Sequence, residues 1–262
     1  MKTIIFFLKF ISLTCLIFIY LMVSCFVAIF SKRSSRRKNL CLNCSYFSKI
    51  CLKFLGTRVK KSADISRFQN KSYFIVSNHV SYMDILIISS LFPASFITSV
   101  EVARDIFLGT IARLGGSLFV ERRKKSRLVK DLESVSDVLK GNLNVVLFPE
   151  GTSSNGEKIL PFKKTLFRAA IEHGIPVLPL YLRYVSIDGM PVSNNNRDLI
   201  YWYGDMKFFP HFMSLLKLNS IDTELIVLPE ISSTSKSSHQ LASIAFQAIS
   251  NMHQNTRCHM WG

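Results

Sequence analysis

The chain has 262 residues and carries 33 Lys and Arg against 17 Asp and Glu, a formal net charge of +16 that points to an anionic partner: nucleic acid, anionic lipid or a phosphorylated substrate. No zinc-finger spacing, RNA-binding aromatic motif or other nucleic-acid signature accompanies that charge, so nucleic acid is set aside. The 48% hydrophobic content and positive mean hydropathy are high for a purely soluble protein and direct the charge toward a membrane.

Residues 3–30 are almost wholly apolar, interrupted by Lys9. The uncharged run 10–30 is long enough to cross a bilayer as one helix. Lys32, Arg33, Arg36, Arg37 and Lys38 follow at once and outnumber Lys2 and Lys9, which places the C-terminal flank in the cytoplasm. A cleaved signal peptide fits poorly, because the apolar stretch is too long and no small-residue cleavage site separates it from the basic cluster. The segment reads as a retained anchor, either a spanning helix or part of a helix pair dipping into one leaflet. In 40–55, Lys49 and Lys53 interrupt apolar residues as they do on a helix lying at an interface. Cys41 and Cys44 have half the spacing of a zinc site with no second Cys or His pair to complete it, so free thiols are expected and no metal. The organisation expected is an anchor with its basic flank at 1–38, an interfacial helix or linker at 39–65, and an α/β domain at 66–262.

In that last part, short apolar runs alternate with helical patterns, which predicts a mostly parallel sheet flanked by helices. Strands are predicted at 73–77, 95–99, 116–120, 144–148, 176–184 and 223–228. Helices are predicted at 83–91, 102–114, 125–140, 165–173, 211–218 and 240–252. Leu128, Leu132, Val135 and Leu139 form one stripe with Gly141 as C-terminal cap, and Leu241, Ile244, Ala248 and Met252 form another. Pro176 and Pro179 read as prolines placed around an edge strand. No Gly-rich phosphate loop and no G-x-S-x-G nucleophile elbow occur.

The most informative segment is Asn78-His79-Val80-Ser81-Tyr82-Met83-Asp84, a strand-to-helix turn of the kind that presents polar groups at the ligand-binding end of an α/β sheet. Asp84 suits a helix cap. Its carboxylate also suits one imidazole nitrogen of His79, leaving the other to take a proton from a substrate hydroxyl. Three further motifs follow. Gly116-Ser117-Leu118-Phe119-Val120-Glu121-Arg122 is a short strand ending on a cation. The strand at 144–148 stops on Pro149-Glu150-Gly151-Thr152, where Pro149 and Gly151 serve a sharp turn but nothing about the turn requires Glu150 or Thr152. The fourth is Ile175-Pro176-Val177-Leu178-Pro179-Leu180.

These four motifs in this order, spanning about residues 73–184, resemble the glycerolipid acyltransferase family, best known for the 1-acylglycerol-3-phosphate acyltransferases. Tyr203-Gly204-Asp205-Met206 and Phe208-Phe209-Pro210-His211 are similar to one bacterial branch of it. The resemblance implies a membrane-bound O-acyltransferase on the cytoplasmic face of a bacterial inner membrane. Such an enzyme moves a fatty acyl group from acyl-CoA or acyl carrier protein to the sn-2 hydroxyl of 1-acylglycerol 3-phosphate, giving phosphatidic acid. It further implies His79 as general base oriented by Asp84, Arg122 on the substrate phosphate, and Glu150, Gly151 and Thr152 at the acceptor, with no cofactor and no metal. Glu150 would orient a hydroxyl or pair with Arg122. A serine acyl-enzyme through Ser77 or Ser81 is the other chemical route. Ser153 and Thr165 stand where many members have arginine and glycine; Lys158, Lys163 or Lys164 could replace the missing cation. These departures leave the acyl-transfer residues in place and open a different lysolipid acceptor, including an amino-acid lipid bearing a free hydroxyl; a separate alternative, against which the intact His79–Asp84 pair and Glu150-Gly151-Thr152 argue, is a non-catalytic lipid-binding protein of the same fold.

Overall fold

Phe74, Ile75 and Val76 are each 0% exposed, and an unbroken apolar run of this kind forms a strand that must be covered on both faces. In the computed structural model, which describes residues 2–68, 71–121 and 127–258, that strand is at the centre of the sheet. The strands are β1 (Thr57–Lys61), β2 (Phe74–Ser77), β3 (Ala94–Ser99), β4 (Leu118–Val120), β5 (Asn144–Leu147), β6 (Val177–Ile187), β7 (Met190–Pro191) and β8 (Ile221–Val227). The helices are α1 (Lys2–Phe30), α2 (Arg36–Leu55), α3 (Met83–Leu91), α4 (Val100–Arg104), α5 (Ile106–Leu114), α6 (Leu128–Lys140), α7 (Arg168–Glu172), α8 (Phe208–Leu215) and α9 (Ser238–Cys258).

The sheet order is β1-β8-β6-β2-β5-β3-β4, with β7 hairpinned onto β6. Strands β6, β2, β5, β3 and β4 run parallel; β8 is antiparallel to β6, and β1 is parallel to β8. The mixed, mostly parallel sheet matches the expected α/β class. Alternation along β2 divides the core. Ile75 joins Leu13, Met83, Ile87, Leu178 and Leu225 on the face covered by α1, α2, α3 and α8. Phe74 and Val76 join Leu139, Phe167 and Leu241 on the face covered by α6, α7 and α9. Because β2 and β5 are parallel neighbours, the turns that follow them emerge at the same edge of the sheet, side by side.

Four expectations change. The 39–65 stretch yields α2 as a helix, but Thr57–Lys61 is a strand of the sheet. Its three cations hid it: Arg58 pairs with Asp222 at 2.6 Å and Lys60 with Glu224 at 3.6 Å, charges that suit an exposed edge rather than a core pattern. The helix predicted at 102–114 breaks at Asp105, whose carboxylate accepts from the Phe107 and Leu108 amides and starts α5. In α9 the buried stripe is Leu241, Ala242, Ala245 and Ile249, while Ile244 is 37% exposed; four-residue steps from Leu241 follow the inward face, and Ile244 lies off it. Pro179 is in a strand with neighbours on both sides, not at an edge. Its carbonyl accepts from Leu228, beyond the last residue of β8, so the nitrogen that cannot donate faces the place where that ladder has ended. The predicted start of the 125–140 helix falls partly outside the described residues.

The helix α1 is long and apolar enough to cross a membrane by length and composition, with 17% of its most apolar stretch buried. One face is docked on the domain through Leu13, Leu16 and Tyr20. Tyr20 donates to the Ile111 carbonyl of α5 at 3.1 Å, and Asn43 of α2 donates to Ser24 at 2.8 Å. Lys9, the lone interruption of the apolar run, donates to the carbonyls of Leu55 at 3.0 Å and Leu218 at 2.6 Å. It thereby satisfies groups left over where α2 and the α8 segment end. Gly56 caps α2 at φ 74°, with the Asn219 carbonyl lying where a Cβ would project. Gly56→Ala is therefore expected to cost at least about 1 kcal/mol from the left-handed backbone alone, read as a lowered thermal midpoint in detergent.

Candidate active site

Asp84 enters α3 in its first turn, 0% exposed, and a carboxylate so placed needs donors to keep its charge. The turn supplies three. Its Oδ2 accepts from the Val80 amide at 2.8 Å and the Ser81 amide at 2.9 Å, and lies 2.9 Å from His79 Nδ1. The fourth comes from across the sheet, where the Tyr184 hydroxyl of β6 donates to Oδ1 at 2.7 Å. Burial and the Asp84 charge push the Tyr184 phenol well above its usual range, so it stays protonated and donates. An ionised Asp84 makes Nδ1 of His79 the donor and leaves the lone pair on Nε2. The imidazole stacks on Phe148 at 4.0 Å between ring centroids and 13° between planes, fixing its orientation. Its side chain keeps 16% exposure, and Nε2 has no protein partner among the described residues.

The second turn follows β5. The Phe148 carbonyl accepts from the Gly151 amide at 3.1 Å, closing a turn with proline at its second position and glycine, at φ 79°, at its fourth. This puts Glu150 inside, 4% exposed, where one oxygen accepts from the His79 amide and the other from the Leu160 amide, both at 2.8 Å. Burial raises the Glu150 carboxyl to about 7, helped by the Asp84 charge, while the two amides pull it down. The Ser154 amide donates back to the His79 carbonyl at 2.9 Å, so the two turns hold each other from both sides.

Of the residues singled out from sequence, His79, Asp84, Glu150 and Gly151 thus come together at one edge of the sheet. Thr152 is exposed beside them and its hydroxyl donates to the Ser153 carbonyl at 3.3 Å. Arg122 lies outside the described residues. Ser77 and Ser81 are both 0% exposed, and the Ser81 hydroxyl is committed to the Ile200 carbonyl at 2.6 Å, which leaves neither placed as a nucleophile. Among the three lysines near Glu-Gly-Thr, Lys163 stands out: its stem and ammonium pass over Gly151, filling the space a Cβ would take. Tyr184, Phe148 and the Leu160 amide were not singled out as partners beforehand. Tyr184 is the last residue of the strand predicted at 176–184, which is the one signal that could have drawn attention to it; β6 itself runs on to Ile187.

Comparison with known proteins adds four findings. The acyltransferase family model matches residues 57–183. Lyso-ornithine lipid O-acyltransferases of Brucella abortus and Rhizobium meliloti are 32% and 31% identical over 188 residues, in each case 69% of this chain; the chain spans 70% of the first and 63% of the second. A 1-acyl-sn-glycerol-3-phosphate acyltransferase of Neisseria gonorrhoeae is 36% identical over 115 residues, 44% of this chain and 45% of that protein. In fold, the chain is similar to the crystal structure of the 1-acyl-sn-glycerophosphate acyltransferase of Thermotoga maritima, with a TM-score of 0.69 over 98% of both chains at 20% identity.

Two outcomes test the geometry. Tyr184→Phe leaves Asp84 Oδ1 buried without its donor and should cost about 1–3 kcal/mol of stability, read by denaturant unfolding. Glu150 has a folded pKa above its unfolded value, so the folded state holds the proton more tightly and loses stability as pH rises from about 4.5 to about 7. The stability of the parent relative to Glu150→Gln should therefore decline across that window by on the order of 3 kcal/mol, followed as paired unfolding curves at several pH values.

Proposed function

Because the chain belongs to the acyltransferase family, we propose that it is a lysolipid O-acyltransferase that moves a fatty acyl group from a thioester to the free hydroxyl of a membrane lysolipid. The observation that carries this reading is the His79–Asp84 contact of 2.9 Å, with Nε2 left over at the carboxyl edge of the sheet. A hydroxyl becomes an adequate nucleophile only as its proton leaves. Nε2 takes that proton as oxygen attacks the thioester carbon, and Asp84 stabilises the resulting imidazolium, the role an acid plays in a Ser-His-Asp triad. The proton then passes to the departing thiolate. The nucleophile is the substrate's own oxygen, consistent with the commitment of Ser81 elsewhere. Acyl-CoA or acyl carrier protein serves as donor, both acidic and suited to the +16 chain.

For the acceptor, 1-acylglycerol 3-phosphate came first on the motifs alone. The longer matches to lyso-ornithine lipid O-acyltransferases, together with Ser153 in place of a common arginine, support an amino-acid lysolipid instead. Lys163, lying over Gly151, is the cation we place beside the acceptor's anionic group. Glu150 acts through His79, holding its amide, and Thr152 and Arg122 complete the acceptor side.

We also propose that α1 lies in one leaflet at the cytoplasmic face. A spanning orientation would carry into the bilayer everything α1 is docked on, including α2 with Lys49 and Lys53 and the α5 helix. Packing on one face with exposed Phe7, Ile11, Phe18, Met22 and Phe26 elsewhere suits a helix embedded along its length.

The test of function is the purified chain in detergent with labelled acyl-CoA and acyl carrier protein and a panel of lysolipids. Product is expected from an amino-acid lysolipid, and His79→Ala should lower turnover by about 10²–10⁴-fold. Product from 1-acylglycerol 3-phosphate alone would restore the phosphatidic acid reading. No product from any pair, with vesicle binding retained, would favour a lipid-binding protein. For topology, cysteines placed at Thr3 and Ser34 in a chain lacking its native thiols should both resist an impermeant reagent added from the periplasmic side; labelling of one would show a span.

A further inference from the structure

Among the described residues, the most exposed large apolar side chain is not on α1. Ile106, at the first position of α5, is 90% exposed, and Phe107 beside it is 46% exposed. Asp105 caps the helix, so these two side chains stand at its tip. Phe107 meets Phe208 of α8 with ring centroids 6.4 Å apart, and Phe209, the next residue, is 64% exposed. The Phe107–Phe208 contact thus brings the tips of the two helices together, with Ile106 and Phe209 exposed beside it.

That surface is keyed to the catalytic turn. Phe208 packs on Tyr82 with centroids 5.0 Å apart, and Tyr82 lies between His79 and Asp84 in the chain. Its hydroxyl is 3.0 Å from Nδ1 of His211, also on α8, so a hydrogen bond as well as ring packing fixes α8 against the turn. The Phe-Phe-Pro-His segment acquires a use here: Phe208 and His211 face inward to Tyr82, and Phe209 is left outside. The α5 helix that carries Ile106 and Phe107 is also docked on α1. Tyr20 of α1 bonds Ile111, five residues from Ile106, a distance of about 7.5 Å along the helix. Arg104 and Lys207 are exposed at the margins of the patch, among the acidic side chains of Glu101, Asp105 and Asp205.

We infer that the tips of α5 and α8, presenting Ile106, Phe107 and Phe209, form a second membrane contact that seats the edge of the sheet carrying His79 on the bilayer surface. The occupant is lipid. An apolar patch rimmed by polar residues marks an interaction site, and this one adjoins a helix already suited to lie in a leaflet. Aromatic side chains at the headgroup level suit such a contact. The inference rests on the reading that the substrates are membrane lipids, yet its test needs no turnover.

Tryptophan is introduced singly by Phe209→Trp, Phe18→Trp and Val129→Trp in the full chain, and the emission of the parent, which has two tryptophans, is subtracted. Val129 is 63% exposed on α6, across the sheet from α1. Each variant is bound to anionic vesicles containing phospholipids brominated near the carbonyl or near the chain end. Phe209→Trp should be quenched, more strongly by the shallow bromines, as expected at a depth of roughly 5–10 Å; Val129→Trp should not. Quenching of Phe18→Trp with none at Phe209→Trp would overturn the inference while leaving α1 in the membrane. Equal quenching at Val129→Trp would overturn it by removing any preference for this surface. A concentration-dependent blue shift at Phe209→Trp without quenching would assign the surface to a second copy of the chain and overturn it as well.

Discussion

A fully buried carboxylate is the constraint around which the site is arranged. Asp84 keeps its charge without water only by collecting donors, and three of the four are within five residues of it: the amides of Val80 and Ser81 and the imidazole of His79. Collecting them bends the chain back on the first turn of α3, and that bend is what presents His79 beyond the end of β2. The fourth donor, Tyr184, is 100 residues away and requires β6 to lie directly beside β2. Asn78 reinforces the same neighbour by bonding both the carbonyl and the amide of Leu182. The fold and the site therefore depend on one pairing of strands.

The turn after β5 completes the frame from the other side. Glu150 takes the His79 amide while Ser154 gives its amide to the His79 carbonyl, so the backbone on both sides of the imidazole is held by one neighbouring loop. This explains a glutamate with little access to solvent in a motif that would otherwise read as a substrate-facing triplet. It also separates two kinds of polar residue at the edge of the sheet. Asp84 and Glu150 face inward and organise, while Thr152 and Lys163 are exposed.

On the proposed function, chemistry on lipids adds a further demand, since the reacting hydroxyl would arrive from a membrane. The helix α1 meets it without departing from the body of the protein: its inner face joins the core with Leu13 and Leu16, and its single internal cation is spent on carbonyls of the domain. The first turn of α2, just after the cationic turn that follows α1, is tied down through Arg37, which donates to the Gly116 carbonyl at 2.9 Å. Helix α1 and the sheet are in this way one packed unit.

The sequence by itself determined what depends on neighbours along the chain. The apolar run at 73–76, the helix at 83–91, the turn chemistry of Pro149 and Gly151, and the pairing of a histidine with an aspartate five residues on are all local, and each was legible because spacing fixes local geometry. Charge and the apolar N-terminus pointed to a membrane for the same reason. Tertiary structure decided what depends on residues far apart. It supplied Tyr184 to Asp84 and the Leu160 amide to Glu150, paired the cation-rich β1 with β8, and rotated α9 so that Ile244 faces outward. It also enclosed Pro179 between two strands and left Ile106 outside. None of these has a local signature, because burial is a property of what packs against a residue, and those partners lie tens of residues away until the sheet brings them together.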